Sequence, residues 1–475
     1  MIVVVGAGPV GMVTALLLAR QGQPCLVLER RPEPYPLPRA VHLDDECARI
    51  LQSASVATGF ARISRPAAGL RLLDARHRPL AEFRRSRLVG VHGHPQASLF
   101  DQPALESLLA EAVSREPLIS VRRGREVTGV DASGRVLVDG RVLTVDAVVG
   151  CDGASSVVRR ALGARWRTLA RDQTWFVADL AGRAPTREWD GVEQICDPAR
   201  PATYLRVGED RLRWEFRLRP GESAAEMTER LGELVDPWTG DGVGERQVLR
   251  TATYTFRAAV ASHWRRGRVL LAGDAAHLTP PFIGQGLGAG LRDAANLTWK
   301  LARVLRGEAG DDLLDTYAAE RVPHVTAQIR LSALAGALMA SPATRLLRPV
   351  GRSAFVREKI LAGTSPPLRS GALTPWFPRG TPIGAHVPQA HGGDDLLGPG
   401  FALLTRGDPP AAGLHRRAAR LGARVIRTEA PGLDVVHRWM TTQATHAVLV
   451  RPDRVVIATE PPRAQARDLG VLWRV

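Results

Sequence analysis

The chain has 475 residues, of which 45% are hydrophobic, so it has room for two or three domains with buried cores. Its formal charge of +16 comes almost wholly from scattered arginines, which argues against nucleic-acid binding and favours biased arginine usage with some attraction for anionic ligands. The four cysteines form no CxxC pair and no zinc spacing, so we expect reduced thiols in a cytoplasmic protein.

The N-terminal stretch predicts a nucleotide-binding unit. Residues 2–5 form an apolar strand, and a GxGxxG turn from Gly6 to Gly11 leads into a helix over 12–21. A second strand, 24–28, ends in Glu29, whose carboxylate can accept both hydroxyls of an adenosine ribose. This acid fits FAD or NAD better than a 2′-phosphate. Glycines interrupt residues 2–18 and no basic region precedes them, so we predict neither a signal peptide nor a membrane span.

A stiff proline-rich connection then leads into Arg39 and a helix over 44–53. Arg39 is either a surface cation or a brace for a phosphate or a ring edge. His42 is either a structural or a functional histidine.

Residues 101–163 predict a helix, a sheet, and a second strand that is followed by polar residues. Asp101-Gln102-Pro103 is typical of a helix start, and residues 119–150 predict a β-meander that ends in an apolar strand. Asp152-Gly153 follows that strand beside a further helix start. This pair is either a site for anions and hydroxyls or simply a helix cap.

Residues 164–266 predict a mainly antiparallel sheet of short strands, inserted between two nucleotide-binding halves. A sheet face that meets a cofactor crevice is suited to holding a substrate. Any single aromatic residue here is also consistent with plain core. The candidate wall residues are Trp175, Tyr204, Trp214, Phe216 and Tyr254.

Residues 268–305 predict a strand, a glycine-rich turn and a long helix. Asp274 follows the strand, and a turn from Pro280 to Gly288 precedes the helix. Unpaired amides and the helix dipole at such a start favour negative charge. Further on, 311–347 is helical in pattern, 363–384 reads as a linker, and the tail from 385 predicts a small α/β unit with strands at 401–404, 424–427, 447–450 and 455–458.

These motifs together resemble the class A FAD-dependent aromatic hydroxylases. The resemblance rests on Gly6 to Gly11 with Glu29, on Asp152-Gly153, and on Gly273-Asp274 with Gly284-Gln285-Gly286. The segments 38–42, 195–201 and 214–216 look most like the 3-(3-hydroxyphenyl)propionate hydroxylase branch, with similarity to phenol hydroxylases.

The resemblance implies an α/β fold with a Rossmann-like FAD-binding domain of the glutathione-reductase type. This domain would be discontinuous, comprising 1–163 and 267–345, with an inserted mainly antiparallel β-sheet substrate-binding domain over 164–266. A helix and linker, 346–384, would lead to a C-terminal thioredoxin-like domain, 385–475, that lacks CxxC.

The resemblance also implies the cofactor contacts. Gly6, Gly8 and Gly11 would hold the FAD pyrophosphate, Glu29 the ribose, and Gly286 and Leu287 the flavin N1 and O2. The implied cofactor-binding residues are Gly6, Gly8, Pro9, Val10, Gly11, Glu29, Arg30, Arg39, Gln102, Val127, Asp152, Gly153, Gly273, Asp274, Pro281, Gly284, Gly286 and Leu287. No metal site is expected.

By the same resemblance, NADH or NADPH would reduce FAD, and O2 would give a flavin C4a-hydroperoxide that hydroxylates a phenolic or polycyclic aromatic substrate. Pro281 would lie near the reactive C4a edge. A phenol needs a base, and where some relatives carry an aspartate this chain has Val41 and His42. The candidate catalytic residues are therefore His42, Pro281, Tyr204 and Tyr254.

Two alternatives remain open at this point, and a third is disfavoured. A Baeyer-Villiger or epoxidising flavin monooxygenase acting on a polyketide-like aromatic would share these motifs, and a non-catalytic FAD-binding protein would keep the cofactor site alone. A flavin-dependent halogenase is disfavoured because the chain shows no WxWxIP element and has only two lysines. We expect a monomer or homodimer.

Overall fold

The structure is a computed structural model, and it describes residues 1–34, 39–85, 89–185, 189–207, 210–342, 344, 367–368, 381–389, 392–407 and 410–460. The predicted helix and linker over 346–384 lie mostly outside these residues. In the described ranges, no helix combines the length and apolar character needed to cross a membrane.

The strands are numbered in chain order. They are β1 Ile2–Val5, β2 Cys25–Glu29, β3 His42–Asp44, β4 Ser64–Pro66, β5 Gly69–Asp74, β6 Pro79–Arg84, β7 Ala97–Phe100, β8 Ile119–Arg123, β9 Val127–Val130, β10 Arg135–Val138, β11 Arg141–Thr144, β12 Ala147–Gly150, β13 Trp166–Ala181, β14 Val192–Cys196, β15 Ala202–Val207, β16 Arg211–Arg217, β17 Gln247–Ala261, β18 Arg265–Arg266, β19 Val269–Leu271, β20 His277–Leu278, β21 Ala402–Thr405, β22 Arg424–Arg427, β23 Ala447–Val450 and β24 Val456–Glu460.

The helices are numbered in the same way. They are α1 Pro9–Arg20, α2 Asp45–Ser53, α3 Ala57–Ile63, α4 Gln102–Arg115, α5 Val157–Ala161, α6 Ala224–Glu229, α7 Leu231–Thr239, α8 Gly286–Leu305, α9 Asp312–Met339, α10 Gly393–Leu397, α11 Ala412–Arg420 and α12 Asp434–Thr442. Short 3₁₀ turns cover Gly273–Ala275 and Pro281–Ile283.

A six-stranded sheet in the order β18-β19-β12-β1-β2-β8 forms the first layer. All its pairs are parallel except β18 with β19. Strands β1, β12 and β19 are wholly apolar apart from one glycine and fully buried, as a parallel sheet covered on both faces requires. Their carboxyl ends meet at one edge, which brings the glycine turn, Asp152 and Asp274 together.

The predicted meander over 119–150 was wrong at its first and last strands, since β12 pairs in parallel with β1 and β19 in the main sheet. Strand β8 pairs in parallel with β2 at the edge of the main sheet. Only β9, β10 and β11 form the antiparallel ladder. A single edge strand that is half exposed alternates in sequence much as a hairpin strand does, so the pattern could not separate the two.

A second, mixed sheet of eight strands has the order β20-β17-β13-β16-β15-β14-β5-β6. Strands β13 and β17 span 16 and 15 residues, which is much longer than predicted. Strands β5 and β6 precede the predicted segment 164–266 and β20 follows it, so this sheet extends beyond the segment at both ends. One helix was expected near 224–234, where the structure has α6 and α7.

A four-stranded sheet in the order β22-β21-β23-β24 lies near the C-terminus, and it confirms the four strands predicted there. It packs against α8 and α9 through apolar contacts around Trp299 and through buried ion pairs. Arg49 on α2 also pairs with Asp394 on α10, with a shortest distance of 2.6 Å. The C-terminal unit is thus joined to the nucleotide-binding part by charged groups withdrawn from water.

Candidate functional site

The glycine turn after β1 is held by close backbone packing. Gly6 has φ +102°, and a Cβ there would lie 2.5 Å from the carbonyl oxygen of Cys151. A Cβ at Gly11 would lie 2.0 Å from the carbonyl oxygen of Gly6, so only glycine lets α1 sit this close to the turn. At Gly8 an added Cβ would meet no described atom within 4 Å. The turn therefore presents open backbone to the adjoining space.

Glu29 braces the same turn from the end of β2. Its Oε2 accepts a hydrogen bond from the amide of Ala7 at 2.8 Å, and its Oε1 accepts one from the amide of Arg31 at 2.9 Å. A small cavity of about 190 Å³ lies beside this carboxylate, and Arg30 and Val127 contribute to its lining. A carboxylate fixed in this way can accept further hydrogen bonds from ligand hydroxyls.

A larger cavity of about 1400 Å³ continues from the small one. The two cavities share six lining residues, which are Gly8, Pro9, Arg39, Gln102, Cys151 and Gly153. The large cavity runs between the strand ends of the parallel sheet and one face of the eight-stranded sheet. A long ligand could occupy both.

The structure brings most of the predicted site residues into these two cavities. Those that line the small cavity are Gly6, Gly8, Pro9, Glu29, Arg30, Arg39, Gln102, Val127, Asp152 and Gly153. Those that line the large cavity are Gly8, Pro9, Val10, Arg39, His42, Gln102, Gly153, Tyr254, Asp274, Pro281, Gly284, Gly286 and Leu287. Gly11 and Gly273 lie behind the surface and act through packing, since a Cβ on Gly273 would come within 3.1 Å of Val10.

Tyr204 is the predicted catalytic residue that the structure places elsewhere, and the candidate wall residues Trp175, Trp214 and Phe216 do not line the large cavity either. Its ring packs against Trp214 at 4.9 Å and Trp238 at 6.1 Å between ring centroids, in the core behind the sheet. The neighbouring Thr203 and Leu205 line the large cavity instead. Because side chains alternate along a strand, Tyr204 must face away from the cavity.

Asp152 shows both of the features that the sequence left open. Its Oδ2 accepts hydrogen bonds from the amides of Val157 at 2.7 Å and Val158 at 3.2 Å, so it does cap α5. Its other oxygen, Oδ1, is buried beside the small cavity with no hydrogen-bond partner among the described residues. A buried carboxylate oxygen of this kind fits a ligand donor such as a ribose hydroxyl.

Gln102, at the start of α4, fixes the backbone of Arg39. Its Oε1 accepts hydrogen bonds from the amides of Arg39 at 3.0 Å and Ala40 at 2.6 Å, and its Nε2 donates to Glu106 at 2.7 Å. Arg39 therefore borders both cavities in a defined backbone position.

Asp274 follows β19 and exposes its carboxyl to the large cavity. Desolvation by the surrounding protein raises the pKa of this carboxyl, and this effect exceeds the lowering by His277 and Arg39. Asp293 on α8 stabilises the turn that contains Gly273 and Asp274. Its carboxylate accepts hydrogen bonds from the amide of Gly273 at 3.1 Å, from His277 Nε2 at 2.7 Å and from Arg321 Nε at 2.9 Å. No sequence signal pointed to Asp293, which lies in the middle of helix α8.

The start of α8 meets His42 at the other side of the cavity. Gly284 has φ +64°, and a Cβ there would lie 2.8 Å from His42 Nδ1. That nitrogen donates to the carbonyl oxygen of Gly284 at 3.3 Å. Burial and the charge of Arg85 lower the pKa of His42, so the imidazole is neutral near pH 7. Gly286 and Leu287 belong to the first turn, whose amides have no partner within the helix.

A buried ion pair behind this turn was also missed by sequence reasoning. Arg292 on α8 donates to Asp44 Oδ2 at 2.6 Å and to Gln285 Oε1 at 2.9 Å. Burial would raise the pKa of Asp44, but the guanidinium of Arg292 outweighs it and leaves that pKa below its usual value. Asp44 also caps α2 through the amide of Cys47. The pair locks the first turn of α8 to α2.

Glu46, His92 and His386 are brought together at the edge of the large cavity, with potential ligand atoms within 4.8 Å of one another. Arg292 Nε lies 2.9 Å from Glu46, and Arg49 lies 3.3 Å from His92 Nδ1. With guanidinium groups this close to two of the three, the cluster is better suited to an ion-pair network than to a cation.

Comparison with known proteins gives two matching family models. A model described as FAD binding domain matches residues 1–332, and one described as HcaD C-terminal domain matches residues 385–470.

Two relatives are similar over almost the whole chain. The 3-(3-hydroxy-phenyl)propionate/3-hydroxycinnamic acid hydroxylase 2 of Burkholderia vietnamiensis (strain G4) is 34% identical, and the match covers 96% of this chain and 93% of that protein. A protein of Rhodococcus jostii (strain RHA1), named "Probable NADH-specific resorcinol 4-hydroxylase", is 32% identical over 99% of this chain and 93% of its own length.

The solved structures that are similar over nearly the whole chain include an aromatic hydroxylase with its ligands bound. It is the ternary complex of aklavinone-11 hydroxylase with FAD and aklavinone, which is 26% identical, has a TM-score of 0.75, and matches over 97% of this chain and 96% of that one.

Proposed function

The chain belongs to the class A FAD-dependent aromatic hydroxylases, and from this premise we propose that it uses FAD, NADH or NADPH, and O2 to hydroxylate a phenolic or polycyclic aromatic substrate. The observation that carries the proposal is the pair of adjoining cavities, of about 190 and 1400 Å³. The small cavity suits the adenosine end of a dinucleotide. The large one has room for a flavin ring and an aromatic substrate side by side.

The residues of the chain fit FAD at three points. Open backbone at Gly8 and the start of α1 suit the pyrophosphate, and Glu29 with the unpartnered oxygen of Asp152 suits hydroxyls on the adenosine side. Asp274 and Arg39 border the large cavity, where ribityl and phosphate oxygens would lie. The amides of Gly286 and Leu287 would then face the flavin ring. Bound FAD would supply hydride acceptance and oxygen activation.

The protein would contribute charge, exclusion of water and orientation. The amide-rich start of α8 stabilises negative charge on a ring placed against it, and the Asp44–Arg292 pair holds that start rigid. Pro281 lines the cavity beside it, with Gln194 Nε2 donating to the carbonyl oxygen of Phe282 at 3.0 Å. Among the proposed catalytic residues, His42 and Tyr254 reach the cavity, whereas Tyr204 lies behind the sheet and is withdrawn from the proposal.

We further propose that the eight-stranded sheet forms the substrate wall. The predicted division of the chain into domains would then be correct, except that strands β5, β6 and β20 also belong to this sheet. The C-terminal unit would be thioredoxin-like in its sheet, which pairs β21 in parallel with β22 and antiparallel with β23. Without a CxxC pair it would have a structural role.

The proposal is tested by purifying the protein with FAD and screening hydroxylated aromatics. We expect substrate-stimulated oxidation of NADH or NADPH, together with a product one oxygen atom heavier than its substrate. FAD-loaded protein that binds phenols but never forms an oxygenated product would point instead to a non-catalytic role.

A further inference from the structure

One face of the eight-stranded sheet lines the large cavity with an ordered row of side chains. Gln194 on β14 pairs with Thr203 on β15, Thr203 pairs with Glu215 on β16, and Glu215 pairs with Val177 on β13. All four line the large cavity. Glu215 is the only carboxylate in this row, and its side chain is 12% exposed.

The row lies between two segments that border the cofactor region. At one side, Gln194 donates to the carbonyl oxygen of Phe282, next to Pro281. At the other, Arg213, two residues before Glu215 and on the same face, donates to the carbonyl oxygen of Arg39 at 3.2 Å. Glu215 therefore faces the part of the cavity that is bounded by Pro281 and Arg39, where an aromatic substrate would meet the flavin.

The charged groups around Glu215 leave its carboxylate available. Arg213 is bound by both oxygens of Asp179, at 2.7 and 3.0 Å, and comes no nearer to Glu215 than 4.0 Å. Arg250 on β17 pairs with the same Asp179 at 3.2 Å. Tyr254, also on β17, lines the same cavity. Asp179 thus pairs with both of the arginines whose charges act on the Glu215 carboxyl.

We propose that Glu215 is the catalytic base that accepts the proton of the substrate's phenolic hydroxyl. This inference rests on the proposed function and deepens it, because it names the group that makes the ring electron-rich. In the step, the phenol O–H bond breaks, an O–H bond forms on Glu215, and the electron pair stays on the phenolate oxygen. The oxygen transferred to the ring comes from O2 and the electrons from the nicotinamide, as in the proposed reaction.

The position of Glu215 suits this role energetically. Burial raises the pKa of its carboxyl, Arg213 and Arg250 lower it, and Asp179 raises it, with a net increase above 4.5. A carboxylate with a raised pKa holds a phenol's proton better than an ordinary one does. Because the base form is lost as the pH falls through this raised pKa, the acid limb of the rate profile should lie above the pH typical of an exposed glutamate.

Glu215→Gln tests the proposal, with Glu193→Gln as its matched control. Glu193 on β14 is likewise buried with a raised pKa, but it lies on the opposite face and accepts hydrogen bonds from Arg71 and Trp238. With FAD-loaded protein and resorcinol as the probe, Glu215→Gln should lower the rate of hydroxylation about 100- to 10,000-fold. The loss should shrink as the pH approaches the pKa of the phenol, and Glu215→Asp should recover part of the rate. FAD content and the rate with Glu193→Gln should stay at the wild-type level.

A second measurement does not depend on turnover. 4-Nitrophenol changes colour on ionisation, so its spectrum reports whether it binds as the phenol or the phenolate. Below the pKa of the free phenol, the wild type and Glu193→Gln should bind it as the phenolate, and Glu215→Gln as the neutral phenol. The same ionised fraction in all three proteins, or a rate loss that does not change with pH, would overturn the role of Glu215 alone. Wild-type protein that binds neither probe would overturn it together with the proposed function.

Discussion

Glu320 on α9 joins three parts of the molecule, and its removal should loosen the C-terminal unit. Its carboxylate lies 2.9 Å from Lys300 Nζ on α8 and accepts a hydrogen bond from Asn296 Nδ2 at 2.6 Å. It also accepts one from Arg451, which follows β23, at 2.9 Å. Arg451 is in turn paired with Asp453. Glu320 and Lys300 are fully buried, so Glu320→Gln leaves two buried cations with weaker partners.

The size of the expected loss of stability follows from the charges around Glu320. Burial opposes ionisation of Glu320, but Arg451 and Lys300 outweigh it and lower its pKa from 4.5 to about 2. At neutral pH this difference in pKa corresponds to about 3 kcal/mol of stabilisation of the folded state. This value is close to the roughly 3–5 kcal/mol of stability that is typically lost when a buried ion pair loses one partner. Burial also lowers the pKa of Lys300 to about 8, so the intact pair contributes less than the Glu320 value alone. Lys300→Met combined with Glu320→Leu should therefore recover part of the loss.

Hydrogen exchange of the FAD-loaded protein measures this directly. If β21 and β23 open by local release of the C-terminal unit, about 3 kcal/mol corresponds to roughly 100-fold faster exchange in both strands. Since the pKa of Glu320 is lowered, its stabilisation is complete above about pH 4.5 and is lost as the pH falls towards about 2. In Glu320→Gln this acid-dependent part should vanish. Glu308→Gln, which removes an exposed partner of Arg306, should change exchange little. Wild-type exchange rates in Glu320→Gln at neutral pH would refute the reasoning.

Three further predictions concern the cofactor side. Gly11→Ala should lose most of its bound FAD, measured as lost flavin absorbance, because the added methyl group would displace α1. The control Gly413→Ala should keep its FAD, because a Cβ there meets no described atom within 4 Å. Normal FAD content in Gly11→Ala would contradict the packing argument. Asp274→Ala should lower FAD occupancy, and full retention would count against its placement. The thiols of Cys25, Cys47 and Cys196, whose pKa values burial raises, should resist alkylation in folded protein at pH 8, and rapid labelling would contradict their burial.

The sequence predicted the meeting of glycine-rich and polar strand ends at one edge of the sheet, because the residues concerned are local to those ends. Gly6 to Gly11, Glu29 and Asp274 each follow a buried apolar strand, and parallel strands bring such ends together. Helix α8 and the four C-terminal strands were also confirmed, since their patterns are long or clearly apolar.

Features that depend on distant pairing were harder to predict. The sequence did not show that β5 would join β14, nor that Tyr204 would face the core while Glu215 faced the cavity. Strand β15 carries apolar residues on both faces. Strand β16 alternates strictly between charged and apolar residues, but which face of a strand lies against the cavity still depends on its partners. Asp293 likewise gives no local signal, because its partners come from other segments of the chain.

The most direct test of the whole account is to reduce the FAD-loaded protein with NADH or NADPH under ¹⁸O2 in the presence of a phenol. We predict that the purified protein carries FAD and that the product gains one ¹⁸O atom on the ring. Protein that takes up no flavin when FAD is supplied, or a product without the label, would contradict the account.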